Sequence, residues 1–193
     1  ARTKRWERTS LSVSGNYNNL RPYFALVPQK VEWLKVPQSG VGEVVFRQQT
    51  SENGGILKGY LNVNHSNMQM NYLLEPGVKS PLELKADNVY GNFSYREMLN
   101  KNWLLFAGVA YTFNRDAVNS NFNNTKAHTS GQARFTLSRS LSDIVKLKVG
   151  GEFYKSHYDE KYRTSAVQLG TLLNENFSAA FAETDLFISK KIV

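Results

Sequence analysis

Three histidines, His65, His128 and His157, are the natural first test for chemistry in this chain, because a neutral imidazole serves both as metal ligand and as general base. They fall on different segments, with no ligand spacing and no acidic partner at a telling offset, so no metal centre is expected. Asp159-Glu160 and the same-face pair Glu183 and Asp185 offer carboxylates of the kind hydrolysis uses. Charged residues are mostly solvent-exposed, and solvated charge is the plainer reading of both pairs. No glycine-rich phosphate loop precedes a helix, and no serine lies in an elbow motif. The chain has no cysteine, which removes disulfides and thiolate metal sites. An enzyme is not expected, and neither is a cofactor.

Basic residues carry more information. Lys146 and Lys148 alternate on one side of a segment, Glu152 and Tyr154 continue that row, and Arg134 belongs to the neighbouring strand. Such a wall guides an anionic ligand or pairs with opposite charge on its neighbours. The aromatics Tyr23, Phe24 and Trp33 either stack a ligand or anchor the passage that contains them. Met68 and Met70 alternate without supporting a cofactor role, and Asn123-Asn124-Thr125 matches a glycosylation pattern that is frequent by chance.

Positioning those side chains requires strands. Between Trp103 and Phe113 every second residue is apolar: Trp103, Leu105, Ala107, Val109, Tyr111, Phe113. Side chains alternate between the faces of a strand, so this row is one complete face. It spans about the ten residues a tilted strand needs to cross a bilayer, and aromatics close both ends, as the two membrane interfaces favour. These residues are therefore expected to face lipid. Hydrophobic content is 41% and mean hydropathy −0.45, and no apolar run of about eighteen residues exists, so a transmembrane helix is excluded while barrel strands are not.

The same alternation predicts about eight strands: Thr9–Tyr17, Val41–Gln49, Ile56–Met70, Asn88–Glu97, Trp103–Phe113, Ser130–Arg139, Val145–Tyr154 and Phe177–Ser189. Pro22, Pro28 and Pro37 predict an irregular passage over 18–40. Further long loops are expected over 71–85, 114–127 and 156–175. Short turns alternate with them, so all long loops fall on one side, as in outer-membrane barrels. The fold class expected is an all-β, antiparallel transmembrane β-barrel. The net charge of +8 suits an anionic partner, nucleic acid or the phosphates of outer-leaflet lipopolysaccharide, and solvated loops are the plainer alternative. Ala1-Arg2-Thr3-Lys4-Arg5 lacks the apolar core of a signal peptide, so a mature or excised chain is expected.

Two passages add a family resemblance. Leu11-Ser12-Val13-Ser14-Gly15, Asn19-Leu20-Arg21-Pro22-Tyr23-Phe24-Ala25-Leu26-Val27-Pro28-Gln29, Glu32-Trp33-Leu34-Lys35-Val36-Pro37 and Gly42-Glu43-Val44-Val45-Phe46-Arg47-Gln48 together resemble the first barrel hairpin of TonB-dependent outer-membrane receptors. Asn176-Phe177-Ser178-Ala179-Ala180-Phe181-Ala182-Glu183-Thr184-Asp185 resembles a later strand of that family. The resemblance implies a twenty-two-stranded barrel, closed by an N-terminal plug, that takes up scarce nutrients with energy passed by TonB. On that reading residues 1–193 are a barrel segment of about eight strands, with the plug and the remaining strands absent. Its partners are membrane lipid and lipopolysaccharide, the plug, the rest of the barrel and, through the plug, TonB; the nutrient is unknown, and nucleic acid is not expected. Arg134, Lys146, Lys148, Glu152 and Tyr154 become plug- or ligand-facing lumen residues, and Tyr23, Phe24 and Trp33 external-loop residues. Apolar Val45, Leu104 and Phe106 on the inner face agree with a plugged lumen. A complete eight-stranded barrel serving as anchor or adhesin, or a soluble sandwich, are the other architectures this alternation permits.

Overall fold

Nine strands form a single sheet in the computed structural model, which describes residues 2–27, 31–52, 54–75, 77–100 and 102–186. They are β1 (Arg2–Arg5), β2 (Thr9–Asn19), β3 (Glu32–Gln49), β4 (Ile56–Glu75), β5 (Val78–Asn100), β6 (Trp103–Asn119), β7 (Asn123–Ser140), β8 (Val145–Arg163) and β9 (Gln168–Leu186). A six-residue helix, α1 (Arg21–Leu26), lies between β2 and β3. Each strand pairs antiparallel with the next in sequence, and β1 and β9 remain open edges among the described residues. The turns after β1, β3, β5 and β7 define one rim, here the near rim. Those after β2, β4, β6 and β8 define the far rim.

Continuous cross-strand pairing fixes which residues share a face. Leu11, Phe46, Gly59, Phe93, Val109, Ala133 and Phe153 form one row across β2 to β8. The face containing that row carries no Asp, Glu, Lys or Arg between its polar boundaries on β2 to β9. The opposite face is mainly polar: the row beside it reads Ser12, Val45, Tyr60, Asn92, Ala110, Gln132 and Tyr154, with Glu43, Thr112, Arg134 and Glu152 on neighbouring rows of the same face. The final strand is weaker in this respect: Ala180 and Ala182 take the apolar face while Phe177 and Phe181 take the polar one.

The apolar band runs diagonally across the strands. On β2 the run Leu11–Tyr17 is level with Val109–Arg115 of β6, whereas on β8 the run Leu147–Phe153 is level with Trp103–Val109. The band therefore slides by about one residue per strand, and with a rise of about 3.3 Å and a strand spacing of about 4.8 Å it inclines the strands by about 35°. Polar residues bound it at Thr9 and Asn19, Gln48 and Gln38, Glu97 and Asp87, and Arg139 and Thr129. Each pair is about ten residues apart, which at that tilt gives a band height of about 27 Å.

No apolar side chain is buried among the described residues, and the band is open to its surroundings: Phe93 is 56% exposed and Val109 54%. The buried side chains are Ser80, Thr136, Ser138 and Ser156, all on the polar face. The sheet thus hides polar groups and displays apolar ones, the reverse of a soluble core.

Several expectations are corrected. There are nine described strands rather than eight, because the basic segment Arg2–Arg5 pairs with β2. Residues 71–85 are not a loop: β4 and β5 stay paired from Ile56 and Arg96 up to Glu75 and Val78, and Gly77 takes φ +86° at the tip. Passages 114–127 and 156–175 are likewise strand extensions closed by tight turns. Above the band, apolarity changes face. Met68, Met70, Leu82 and Leu84 lie on the polar-face side, while His65, Gln69, Glu83, Lys85 and Asp87 take the other. A search for one continuous apolar row followed β4 to Met70 but began β5 only at Asn88. Pro37 lies within β3, where register shifts between Trp33, Lys35 and Gln38 leave it outside the regular ladder, a position proline tolerates. The last strand begins at Gln168 instead of Phe177. Residues 187–189 of the expected strand, and Lys190-Lys191, lie outside the described residues.

Candidate functional site

Within the height of the band, the polar face gathers the charged groups able to recognise a ligand. Near the start of the sheet, the Glu43 carboxylate accepts hydrogen bonds from Ser14 Oγ (3.2 Å), Tyr60 OH (2.9 Å) and Asn62 Nδ2 (3.2 Å). The Tyr60 ring tilts against Tyr90 at 5.9 Å, and Asn92 Nδ2 donates to Tyr90 OH at 2.9 Å. One carboxylate therefore ties β2, β3 and β4 together, and the two rings extend the cluster to β5. Sequence reasoning did not single out Glu43; the available signal was an acidic residue within the expected strand Val41–Gln49.

Arg134, Lys146, Lys148, Glu152 and Tyr154 share the polar face, as expected from the alternation. Their partners are mostly other strands of the sheet. Lys148 Nζ lies 2.6 Å from Glu183, Lys146 is opposite Asp185, and Arg134 is opposite Glu152. The Phe181 ring receives both Arg134, at 5.3 Å, and Lys148, at 5.7 Å, in cation–π geometry. Gly150 makes room for that ring: a Cβ there would approach it to 2.7 Å and the Phe135 carbonyl to 2.5 Å. The expected basic wall is thus an alternating, internally paired surface. Glu183 and Asp185 serve as its counter-charges, and Asp159 and Glu160 project from opposite faces, so neither pair forms a hydrolytic couple.

Toward the far rim the polar face forms two recesses. One, of about 520 Å³, is lined by Asn18, Leu20, Met68, Leu84, Asp116 and Val118 among others. The second, of about 400 Å³, is more polar and includes Asp116, Lys126, His128, Tyr158 and Glu175. Beside it, Glu160 accepts from Tyr158 OH at 2.7 Å and Asn124 Nδ2 at 3.2 Å, with Lys126 3.5 Å away. The tyrosine hydrogen bond holds the Glu160 carboxyl below its ordinary range, and Asn124 and Lys126 reinforce the effect against partial desolvation. His128 Nε2 is 2.9 Å from Ser156 Oγ, and His65 and His157 face the other way, toward Asp87 and Asn174. Each imidazole is engaged locally.

Tyr23, Phe24 and Trp33 do meet at the far rim. Phe24 stacks on Trp33 at 5.3 Å with 11° between planes, and Tyr23 tilts against Phe24 at 5.5 Å. Tyr23 and Phe24 belong to α1 and Trp33 to β3, so the expected loop residues occupy regular structure. Stacked on one another, they fasten the helix to the sheet. The lipid-facing candidates Trp103, Leu105, Val109, Tyr111 and Phe113 all lie on the apolar face. Arg139 sits 5.1 Å above the Trp103 ring, where the band meets the near rim.

Compared with models of known protein families and with curated proteins, the chain matches none. The arrangement taken alone is suited to holding and orienting a polar guest between charged and aromatic side chains. Among the described residues, the His128–Ser156 pair has no carboxylate hydrogen-bonded to the other nitrogen of the imidazole.

Proposed function

We propose that this chain is a membrane-spanning wall segment of an outer-membrane β-barrel, with its apolar face in lipid and its polar face toward the lumen. The observation that carries the reading is the exposed apolar band. Its height of about 27 Å and its inclination of about 35° agree with the roughly 25 Å band and 35–45° tilt of transmembrane barrels. A soluble sandwich would have to cover that face with a second layer, and no second sheet is present among the described residues. The far-rim strand extensions stand where external hairpins of such barrels stand. Arg2 and Lys4 bring charge onto the apolar face of β1, opposite Val13 and Leu11. Both lie toward the near boundary, and Lys4 Nζ reaches the Trp6 ring at 5.0 Å, as a snorkelling side chain does.

Open edges at β1 and β9 favour a part of a larger barrel over a complete small one, since lipid tolerates no unpaired strand edge. The resemblance of residues 11–48 and 176–185 extends the proposal to a TonB-dependent receptor for active nutrient uptake. Its nutrient would be a siderophore, a peptide or a glycan, its remaining strands would close the barrel, and a plug bound to the polar face would receive energy from TonB. The paired charges around Lys148 then serve the wall itself, leaving the far-rim recesses to face the guest.

Val109→Arg tests the core of this reading. Placed at mid-band, arginine should impair assembly into lipid vesicles by about 2–4 kcal/mol, read as the loss of protease-protected, heat-resistant protein. Undiminished assembly of the variant would show that this face does not meet hydrocarbon.

A further inference from the structure

The apolar face has one marked depression. Gly131 on β7 lies between Tyr111 on β6 and Lys155 on β8, and an added Cβ at Gly131 would meet nothing within 4 Å. The resulting groove has a volume of about 410 Å³, with Tyr111, Ala133 and Phe153 as apolar walls and Thr129, Lys155 and His157 at its upper end. On β8 the band ends between Phe153 and Lys155, so the ammonium stands at the level where hydrocarbon gives way to headgroups. Lys155 has no ion pair among the described residues, and neither does Arg115, which lies higher on the same face. Asp159, the nearest acidic residue on this face of β8, is already paired with Lys161 at 2.6 Å. The mouth of the groove is therefore positive.

We propose that this groove is a binding site for one phosphate-bearing glycolipid of the outer leaflet. Resting on the membrane orientation given above, the site takes an acyl chain over Gly131, between Tyr111 and Phe153, and sets the lipid phosphate against Lys155. The lysine stem crosses beside the glycine and completes the apolar wall, while its charged end reaches the headgroup layer. Thr129 supplies a hydroxyl at the same height. Charge complementarity favours this occupant: the phosphate of a zwitterionic lipid is offset by the lipid's own cation, whereas the phosphate of an anionic glycolipid has no internal counter-charge and pairs with Lys155. The site lies on the outside of the wall, away from the polar-face recesses, so it concerns how the protein is seated in its membrane.

The test uses the complete barrel that contains this chain, assembled into phosphatidylcholine vesicles with and without lipid A, re-extracted in mild detergent and examined for retained lipid by native mass spectrometry. The wild type should retain lipid A in preference to phosphatidylcholine. Lys155→Gln should lower that retention about fivefold, the effect of one surface cation on an anionic lipid. Gly131→Phe should abolish it with every charge left in place, because the open space receives the ring. Equal retention of both lipids by the wild type, or unchanged lipid A retention in both variants, would overturn the site while leaving the barrel standing. Failure of the wild type to assemble into either vesicle would instead overturn the membrane reading, and this site with it.

Discussion

Gly150 and Gly42 occupy comparable strand interiors, yet they should respond oppositely to the same substitution. At Gly150 a β-carbon would collide with the Phe135 carbonyl at 2.5 Å and with the Phe181 ring, whereas nothing lies within 4 Å of one at Gly42. Gly150→Val should destabilise the sheet by about 1–3 kcal/mol, the usual cost of overpacking, and Gly42→Val should be neutral or mildly stabilising. Urea midpoints of the assembled protein compare the two. The ionisable residues of the far-rim extensions give a pH prediction. Hydrogen bonds from Lys79 to Glu32, from Lys85 to Glu83 and from Tyr158 to Glu160 each hold a carboxyl below its ordinary range. A depressed folded pKa contributes stability above the unfolded value near 4.3, and that contribution disappears as pH falls through the folded value. Protection of far-rim amides, corrected for intrinsic exchange, should therefore decline below about pH 4 while the banded segments keep theirs.

Within β4 the consequence of a charge should depend on height as well as on face. Leu61 lies in the apolar band, and Met68 lies above it on the opposite face. Leu61→Lys should cost about 2–4 kcal/mol of assembly into vesicles, and Met68→Lys should leave assembly near wild type. The same geometry explains what the sequence disclosed. Rows such as Val89, Gly91, Phe93 and Tyr95 were legible because a face held against one apolar medium repeats strictly every two residues. On β4 the strand was followed to Met70, but the extension of β5 was illegible where Leu82 and Leu84 change sides, since a phase reversal resembles the end of a strand. Pro37 misled for another reason: the register shifts that accommodate it come from pairing with β4, a long-range property. The face of Lys146 and Lys148 was readable from parity alone, whereas their engagement by Glu183, Asp185 and Phe181 depends on which strand follows β8 and in what register.

At the scale of the molecule, β9 exposes the outer edge of a nineteen-residue strand among the described residues. If further strands complete a barrel, amides on that edge should exchange slowly in the closed barrel and rapidly in this segment alone; equal exchange in both would contradict closure at β9. The network around Glu43 and the paired basic surface near Lys148 lie at opposite ends of the sheet, so closure would bring other strands between them. What the sequence could convey here was the all-β class and the sidedness of the strands.

The reversal of sidedness above the band has one further consequence. In a saturation mutagenesis experiment on β4 and β5 read by assembly, the positions that reject charge should be the odd ones up to Val63 and down to Val89, whereas beyond Met68 and Leu84 neither parity should reject it. If the apolar face meets lipid, the height at which intolerance ends would mark the water boundary on the ribbon, so assembly phenotypes alone would locate the surface of the bilayer without any probe of depth.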